Sequence, residues 1–340
     1  MYKNVNLDSI LNDFNIINFD LQKIKEKNTK KTRIVYKINT YDNLFCLKQT
    51  YFDIKDLLFI YSYLEWLKIY GFTVPYLIKT KFNEPYTKIN DKIFILTKWM
   101  KGENINYDNF DHCIQSMIFL SKIHNISTNI IFIQNSKIKN TFIDLNKRYK
   151  KHINYFKNVY EVANSSNDYF SKIFIKNFNN IMYLCNISNK FSSIINYKKL
   201  NISICHGDYV SKNILIDNNK ILPIDFDRSC INFSIFDVGY FLRRYLRRDL
   251  TNWNFDNTIK LINYYKKNNP IFLDEYLYLI SYLAFPQKIF KITKIYFSNI
   301  DRFSSSEKDL YKNLLLKNCK TLSNHINFIN QFSNYININF

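Results

Sequence analysis

The segment from Ile202 to Asp227 alternates short apolar runs with polar residues at fixed spacing. One run leads to His206-Gly207-Asp208, a second begins after Asn213, and a third, after a turn at 217–220, leads to Asp225. Short apolar runs bounded by turn residues are typical of buried strands. The pattern therefore predicts a strand, a polar loop and a β-hairpin, and no other part of the chain restricts the fold as much.

The polar residues of this segment have the chemistry of a magnesium and phosphate site. A hairpin would bring Asn213 and Asp225 together, while the loop would hold Asp208 opposite them. Carboxylate and amide oxygens suit Mg²⁺, which proteins commonly share with substrate phosphates. Asp208 is then free to accept a hydroxyl proton, so the segment predicts phosphoryl transfer. We expect His206 to brace the loop by packing and hydrogen bonding rather than to react.

The first hundred residues predict an antiparallel sheet with one main packed helix. The helix is expected from Asp53 to Tyr70, because its apolar residues lie on one face and Gly71 follows it. A short helix is expected near the N-terminus, and β-prone runs occur at 33–38, 44–48, 76–80 and 92–99. Gly102 marks the expected boundary of this first domain, which comprises residues 1–101.

Residues 102–340 are expected to form a larger and mainly helical domain that contains the hairpin segment. Apolar residues at spacings of three and four predict helices at 113–124, 142–160, 169–182 and 194–200, and again after the hairpin through Gln331. A sheet domain followed by a helical domain is an α+β fold. The length of 340 residues suits two domains of ordinary size.

Composition excludes several classes of protein. Apolar residues make up 47% and charged residues 22% of the chain, which is typical of folded globular proteins. The 6 cysteines show neither zinc-site spacing nor the density of a disulfide scaffold, which indicates a reducing compartment. The first residues lack a secretion signal, and the apolar runs are shorter than the ~20 residues of a membrane helix. We therefore expect an intracellular protein without a membrane span.

The chain is strongly basic, with 48 Lys and Arg against 28 Asp and Glu and a net charge of +20. Such a charge attracts nucleic acid or other anions. An AT-rich codon bias, which enriches Lys, Asn and Ile throughout, explains the same excess, so a nucleic-acid partner would rest on charge alone and is not expected. With only 4 Gly, the turns should rely on Asn and Asp, which tolerate positive φ.

With these motifs the chain resembles the aminoglycoside phosphotransferase-like kinase superfamily and, within it, the spore-coat CotS family of endospore-forming bacteria. The resemblance spans most of the chain. Besides residues 206–227 it involves the motifs at 45–48, 71–75, 96–102, 120–124, 236–240 and 285–287. The last three motifs narrow the resemblance toward the coat family.

The resemblance implies a bilobal protein-kinase-like fold that binds ATP and Mg²⁺ in its cleft. Phosphoryl transfer to a hydroxyl of an unknown acceptor is the implied reaction, and the spore coat, reached after synthesis in the cytoplasm, is the implied location. Other coat proteins are implied partners. The implied roles are Asp208 as catalytic base, Asn213 and Asp225 as metal ligands, Lys48 as the lysine on the α and β phosphates, and the backbone of Lys98, Trp99 and Met100 as the adenine-binding hinge.

Some positions depart from the family pattern. Residues 29–39 contain no glycine, where a phosphate-covering loop would let backbone N–H groups approach the nucleotide. Ile60 stands where the glutamate partner of Lys48 is expected, and Asp56 is a better substitute than Glu65. These departures favour an alternative function, a structural or assembly protein of the spore coat that binds nucleotide weakly or not at all.

The C-terminal third argues against a polycationic acceptor. Residues 230–340 contain 15 Lys and Arg against 8 Asp and Glu, whereas a polyamine sugar calls for acidic pockets. A neutral or anionic acceptor fits better. Arg243, Arg244, Arg247 and Arg248 form two i, i+4 pairs on one predicted helix, and they indicate either a solvated basic face or an anion or partner site.

Overall fold

Strands and helices alternate in the first part of the chain, and helices dominate the last part. The structure is a computed structural model that describes residues 7–28 and 32–337. The chain divides into two units: a sheet unit, made of residues 1–141 and 203–232, and a helical unit, made of residues 142–202 and 233–340. The hairpin segment therefore groups with the N-terminal sheet. The predicted domain boundary at residue 101 stays a prediction.

The main sheet is antiparallel, as predicted, and its strands lie in the order β1-β2-β3-β6-β4, with β5 also paired to β6. Its strands are β1 (Asp20–Asn28), β2 (Thr32–Asn39), β3 (Leu44–Gln49), β4 (Leu77–Ile78), β5 (Thr87–Ile89) and β6 (Lys92–Lys98). Helix α1 (Leu7–Asp13) packs Ile10 and Leu11 into a core with Leu47 and Leu96 of the sheet.

Strand β1 was not expected from the sequence. It is an edge strand whose charged residues alternate with Leu21 and Ile24, and both apolar side chains are more than one-third exposed. A strand with solvent on both faces carries little of the buried apolar alternation that predicts strands, and lysines on an edge discourage further pairing. Residues 29–31, between β1 and β2 in the sequence, lie outside the described residues, and so does that part of the glycine-free segment 29–39.

Helix α2 (Ile54–Ile69) confirms the predicted main helix of the sheet unit. The Asp53 carboxylate accepts a hydrogen bond of 2.8 Å from the Asp56 N–H and caps its start. Gly71, with φ +78°, follows its end in the left-handed conformation that glycine adopts most easily. A second helix, α3 (Phe110–Ile126), belongs to the same unit.

The hairpin segment also forms as predicted. Strands β9 (Ile214–Asp217) and β10 (Lys220–Pro223) pair through a turn in which Asn218 and Asn219 both have positive φ. Two-residue turns of this kind match the twist of a hairpin, and asparagine tolerates them. Strand β7 (Glu103–Asn104) pairs with β9, and β8 (Ile202–Cys205) pairs with β11 (Cys230–Phe233).

The helical unit consists of α4 (Leu145–Asn164), α5 (Tyr169–Ile194), α6 (Ile235–Tyr245), α7 (Phe255–Lys266), α8 (Leu273–Ala284), α9 (Gln287–Asn299), α10 (Ser305–Cys319) and α11 (Leu322–Tyr335). The helix predicted at 194–200 is wrong: α5 ends at Ile194, and a single 3₁₀ turn occupies Tyr197–Lys199. The Asn196 side chain accepts from the Lys198 N–H and starts that turn, a local bond that competes with a continuous helix. No described helix combines the length and the hydropathy needed to cross a membrane.

Candidate active site

Two acidic and two basic side chains meet in the sheet unit, and we call Arg33, Lys48, Asp225 and Asp227 the acid–base cluster. The Lys48 Nζ lies 3.0 Å from Asp225 Oδ1 and also contacts Asp227 Oδ1. The Arg33 Nη2 donates to the same Asp225 oxygen at 2.8 Å, and its Nη1 lies 3.5 Å from Asp227 Oδ2. Each cation therefore touches both carboxylates.

Strand register explains why the two cations share a face. Lys48 on β3 is directly opposite Val35 on β2, and directly opposed residues project to the same side of a sheet. Arg33 lies two residues from Val35 and therefore projects to that side as well. Lys48 is 8% exposed and Asp227 is 7% exposed, so this charge pair is buried.

Lys48 and Asp225 shift each other's pKa values. Burial by itself would raise the pKa of Asp225, but the charges of Lys48 and Arg33 outweigh it and hold that pKa well below the ordinary value. Burial would lower the pKa of Lys48, but Asp227 and Asp225 raise it above the ordinary lysine value. Asp225 and Lys48 are therefore both ionised at neutral pH.

The backbone around Asp225 is held in an uncommon conformation. Asp225 has φ +66° and ψ +59°, the left-handed region, and a 3₁₀ turn at Phe226–Arg228 follows it. Gly207 has φ +76°, and a Cβ at this position would overlap the carbonyl oxygen of Arg228. The glycine therefore lets the loop at 206–208 lie directly against the turn that carries Asp227.

Asp208 and Asn213 contact each other, whereas the sequence led us to expect Asn213 beside Asp225 with Asp208 opposite them. The Asn213 Nδ2 donates to the Asp208 backbone oxygen at 2.9 Å and to its Oδ2 at 3.1 Å. The Lys212 Nζ lies 3.3 Å from the same carboxylate oxygen. Because the Ile224 N–H donates to the Asn213 backbone oxygen at 2.9 Å, Asn213 is also tied to the residue before Asp225.

His206 joins the loop to the hairpin, which confirms its predicted bracing role. Its Nδ1 accepts from the Asp208 N–H at 3.3 Å, so its Nε2 carries the proton and donates to the Ile224 oxygen at 3.0 Å. The ring is fully buried and packs against Phe226, with 4.7 Å between ring centroids. One imidazole thus positions the residues next to both Asp208 and Asp225.

The predicted hinge residues Lys98, Trp99 and Met100 lie at the end of β6. The Trp99 N–H donates to the Leu44 oxygen at 2.9 Å and continues the pairing with β3. Its ring lies 5.2 Å from the Lys37 Nζ in a cation–π contact. Because Trp99 uses its N–H within the sheet, the backbone of Lys98 and Met100 is the part of this segment left for a base.

The predicted substitute for the helix glutamate does not reach Lys48. Asp56 lies 3.8 Å from both Lys137 Nζ and Lys139 Nζ, and Glu65 lies 3.9 Å from Lys68 Nζ. Ile60 is buried. The carboxylates that contact Lys48 come instead from Asp225 and Asp227, because the motif places two acids in a turn against β3.

Arg33 and Asp227 were missed as site residues by sequence reasoning. Asp227 had a signal, since it follows Asp225 by two residues within the recognised motif. Arg33 had none: it is separated from Asp225 by 192 positions, and only the register of β2 on β3 brings it close.

The donor set fits a divalent metal such as magnesium. Asp227 Oδ2 is buried and has no hydrogen bond within the described part of the chain. Both cations contact Asp225 through Oδ1, and Asn213 uses its Nδ2 on Asp208, so a carboxylate oxygen of Asp225 and the Asn213 amide oxygen are left for a cation. Oxygen donors of this kind are what Mg²⁺ prefers. Asn213 and Asp225 would hold the ion.

Comparisons with known proteins agree with this geometry. The model of the phosphotransferase enzyme family matches residues 194–259, which hold Asp208, Asn213 and Asp225. No curated protein matches the chain.

Three solved structures have a similar fold. An aminoglycoside phosphotransferase from Alicyclobacillus acidocaldarius has a TM-score of 0.80 and 15% identity, over 99% of this chain and 98% of that one. A spectinomycin phosphotransferase in complex with ADP and spectinomycin has a TM-score of 0.61 and 16% identity, over 94% and 99%. An amicoumacin kinase in complex with AMP-PNP and Ca²⁺ has a TM-score of 0.59 and 11% identity, over 90% of each chain. The predicted α+β, kinase-like fold of the aminoglycoside phosphotransferase type is thereby confirmed.

Proposed function

We propose that this protein transfers the γ-phosphate of ATP to a hydroxyl group. The contact between the Lys48 ammonium and the Asp225 carboxylate is the observation that carries the proposal. It joins a strand lysine to an acid of the hairpin motif, while Asp208 and Asn213 contact each other in the same unit. A lysine for phosphates, an acid and an amide for metal, and a second acid for the nucleophile are the parts that phosphoryl transfer requires.

Each residue has a distinct task in this proposal. Asp208 accepts the proton of the acceptor hydroxyl; the Asn213 amide holds its carboxylate, and His206 holds its backbone N–H. Lys48 binds phosphate oxygens of the nucleotide, and Arg33 supplies a second cation on the same sheet face. Magnesium, when bound by Asn213 and Asp225, neutralises charge on the phosphates.

Arg33 offers a physical answer to the missing glycines. A glycine-rich loop binds phosphate through backbone N–H groups, whereas a guanidinium binds it with a full charge and a bidentate fork. Arg33 lies on β2, which pairs with the strand of Lys48, and its side chain is 18% exposed. The Arg33 side chain thus binds phosphate where a glycine-rich loop would bind it through its backbone N–H groups.

The similar structures support a nucleotide and a divalent cation as ligands. The spectinomycin phosphotransferase holds ADP, and the amicoumacin kinase holds AMP-PNP and Ca²⁺. For this chain, ATP and Mg²⁺ are the proposed pair, because its own donor set consists of oxygen atoms.

Melting with and without Mg²⁺ and ATP tests nucleotide binding. A ligand at 100 times its Kd adds about 2.7 kcal/mol of stability, so a clear rise in Tm is expected. Asp208→Asn should keep that rise and lose transfer by at least about 100-fold, because it removes only the general base. Asp225→Ala should reduce the metal-dependent part of the rise. Asp42→Asn, a change at an exposed acid between β2 and β3, serves as the matched control for both variants.

We further propose that the acceptor is neutral or anionic and that the protein belongs to the spore coat. The basic excess of residues 230–340 supports the first part, and the motifs at 120–124, 236–240 and 285–287 support the second. A tagged copy expressed in a sporulating, endospore-forming host should appear in the extracted coat fraction. Recovery only from the soluble fraction of the mother cell would contradict the coat assignment and leave the chemistry standing.

A structural role in the coat is the second candidate. Arg33 and Lys48 both occupy Asp225 Oδ1, and such a closed set of charges stabilises the unit without any ligand. Under this alternative, millimolar Mg²⁺ and ATP would leave the Tm unchanged, and Asp208→Asn would behave as the wild type in every assay. The melting experiment therefore separates the two functions.

A further inference from the structure

The helical unit contains a cavity of about 170 Å³ whose lining is strongly basic. Residues from α6, α9, α10 and α11 and from the loops beside them line it. We call it the basic cavity, and its main side chains are Arg243, Arg247, Trp253, Lys288, Lys317 and His325. The sequence singled out Arg243 and Arg247 as an i, i+4 pair without deciding what they face.

The positive charges of the cavity are not balanced by acids. Among the described lining residues, Asp249 is the acidic one, and its Oδ2 lies 3.3 Å from Lys317 Nζ, where both side chains are exposed. Arg243, Arg247 and Lys288 have no carboxylate within 4.0 Å in the described part of the chain. Removal from water and the charges of Arg243 and Arg244 lower the pKa of Arg247 to about 10, although part of its side chain remains exposed.

Two donors in the lining have no acceptor. Arg243 Nε and Trp253 Nε1 are buried and make no hydrogen bond within the described residues. Arg243 is 8% exposed and Trp253 is 7% exposed, so water does not readily replace the missing partners. A buried donor without an acceptor costs about 1–3 kcal/mol, and it is satisfied when a ligand with acceptor oxygens binds.

Both donors are held rigidly by their neighbours. The Arg243 guanidinium lies 3.4 Å from the centroid of the Tyr282 ring and donates to the Tyr282 oxygen. Trp253 has φ +61°, an uncommon conformation for a large residue, and stacks on His325 at 3.5 Å between ring centroids. The His325 ring is held in turn by its Nε2, which lies 2.9 Å from the Leu283 backbone oxygen. Strain and rigid placement of this kind are typical of binding sites.

The start of α9 adds a further source of positive potential. Helix α9 begins at Gln287, and Gln287, Lys288 and Ile289 all line the cavity. The residue before them, Pro286, offers no side-chain cap. The Gln287 N–H donates to the Phe285 backbone oxygen at 2.7 Å, so the N–H groups of Lys288 and Ile289 are the ones without an acceptor inside the helix, and the helix dipole favours an anion beside them.

We propose that the basic cavity binds a small molecule that carries a phosphate group. Tetrahedral phosphate has enough acceptor oxygens to satisfy Arg243 Nε, Trp253 Nε1 and the α9 N-terminus together, and its two charges match Arg247 and Lys288. A volume of about 170 Å³ lies below the ~300 Å³ of ordinary ligand pockets, so the ligand is compact and not a nucleic acid. This site is separate from the proposed phosphoryl transfer and does not rest on it.

Titration calorimetry with inorganic phosphate on the full chain tests the proposal, with sodium chloride adjusted to keep ionic strength constant. Arg247→Gln should weaken phosphate binding at least about tenfold, since it removes a charge-assisted hydrogen bond. Arg248→Gln removes the same charge from the next residue, which is outside the lining, and should change the affinity less than about twofold. Asp225→Ala, in the sheet unit, should leave phosphate binding unchanged.

Several results would overturn the assignment. If the wild type shows no heat of binding with phosphate at concentrations on the order of 50 mM, about the weakest affinity that would matter, the proposed site is wrong. Equal losses of affinity in Arg247→Gln and Arg248→Gln would show that the basic surface attracts phosphate without a specific site. A gain of phosphate binding in Asp225→Ala, which frees Lys48 and Arg33, together with no loss in Arg247→Gln, would move phosphate to the acid–base cluster. If citrate bound more tightly than phosphate, the ligand of the cavity would be a carboxylate and not a phosphate. Far-UV circular dichroism of each variant confirms that it is folded.

Discussion

The acid–base cluster and the basic cavity use the same residue types but balance their charges differently. In the cluster, Lys48 and Arg33 each contact both Asp225 and Asp227, so two positive charges meet two negative ones. In the cavity, Arg243 and Arg247 face Lys288, and the acid of the lining is taken by Lys317. One region satisfies its charges internally, and the other leaves its charges for something that binds.

This difference separates two uses of charged side chains. A closed set of ion pairs fixes the geometry of a site before substrate arrives, but a ligand must displace existing contacts. An open set of cations leaves the protein less stable by itself, and binding an anion recovers that free energy. The net charge of +20 alone does not distinguish these cases, because only the placement of 28 acids decides which cations are paired.

The largest effect is expected from breaking the closed set. Lys48→Met leaves two carboxylates with Arg33, and removing one partner of a buried ion pair costs about 3–5 kcal/mol. The free energy of unfolding in urea should fall by that amount. Lys98→Met, an exposed lysine on the neighbouring strand, is the matched control and should stay within about 0.5 kcal/mol. Equal, small losses in both variants would show that the cluster is not closed.

The next largest effect is expected at the glycines beside the two regions. Gly207→Ala places a Cβ against the Arg228 backbone at a positive φ and should cost about 3 kcal/mol, because neither the turn nor the loop yields easily. Gly239→Ala, on α6, meets the buried Tyr282 ring at 2.9 Å, but its backbone is helical and alanine favours a helix, so the change should be smaller, about 1–2 kcal/mol. Urea unfolding of both variants measures the contrast, and a larger loss at Gly239 would reverse it.

A smaller effect is expected from pH. The pKa of Asp225 is lowered in the fold from its ordinary value of 3.8, so its contribution to stability is complete above that value and is lost as pH falls below it. Between pH 6 and pH 3 the free energy of unfolding should fall by about 1 kcal/mol more in the wild type than in Asp225→Asn. Parallel pH curves for the two proteins would mean that Lys48 and Arg33 do not hold this carboxylate.

The smallest effect is expected in the open set, and its sign is opposite. Arg247, just beyond the end of α6, is repelled by Arg243 and Arg244, and Arg247→Gln relieves this repulsion, which costs about 0.2–0.5 kcal/mol for like charges on a helix surface. Without phosphate the variant should therefore melt at the same temperature as the wild type or slightly higher. With phosphate present, the wild type should regain the advantage. A loss above about 1 kcal/mol without ligand would show that Arg247 is already satisfied.

The residues that sequence reasoning brought together are those joined by local motifs. Asp208, Asn213 and Asp225 lie within one hairpin segment, and their contacts follow from short loops and strand pairing. The association of Lys48 with Asp225 came from the family resemblance, because no local pattern links residues 177 positions apart. The roles assigned to these residues stay predictions.

The features that the sequence did not reveal depend on register or on burial. Arg33 joins the site because β2 pairs with β3 in one register, and a shift by one residue would turn its side chain to the other face. The arginine pairs at 243–248 had a clear spacing, but α6 ends at Tyr245, so Arg247 and Arg248 lie beyond the predicted helix, and spacing does not tell which side is covered. In the structure Arg243 is buried and Arg248 is exposed. Strand β1 escaped prediction for the same reason, since its apolar residues are exposed.

The scarcity of glycine has a chemical consequence for the ageing of the protein. As expected, asparagines adopt positive φ at many turns, among them Asn15, Asn18, Asn83, Asn90, Asn218 and Asn219, and these six are exposed. Asparagine is a thermolabile residue, because its side-chain amide hydrolyses to a carboxylate. Each such event adds one negative charge to a chain of net charge +20. The isoelectric point of a stored or long-lived sample should therefore fall with time. The deamidated asparagines should lie in turns rather than in strands and helices.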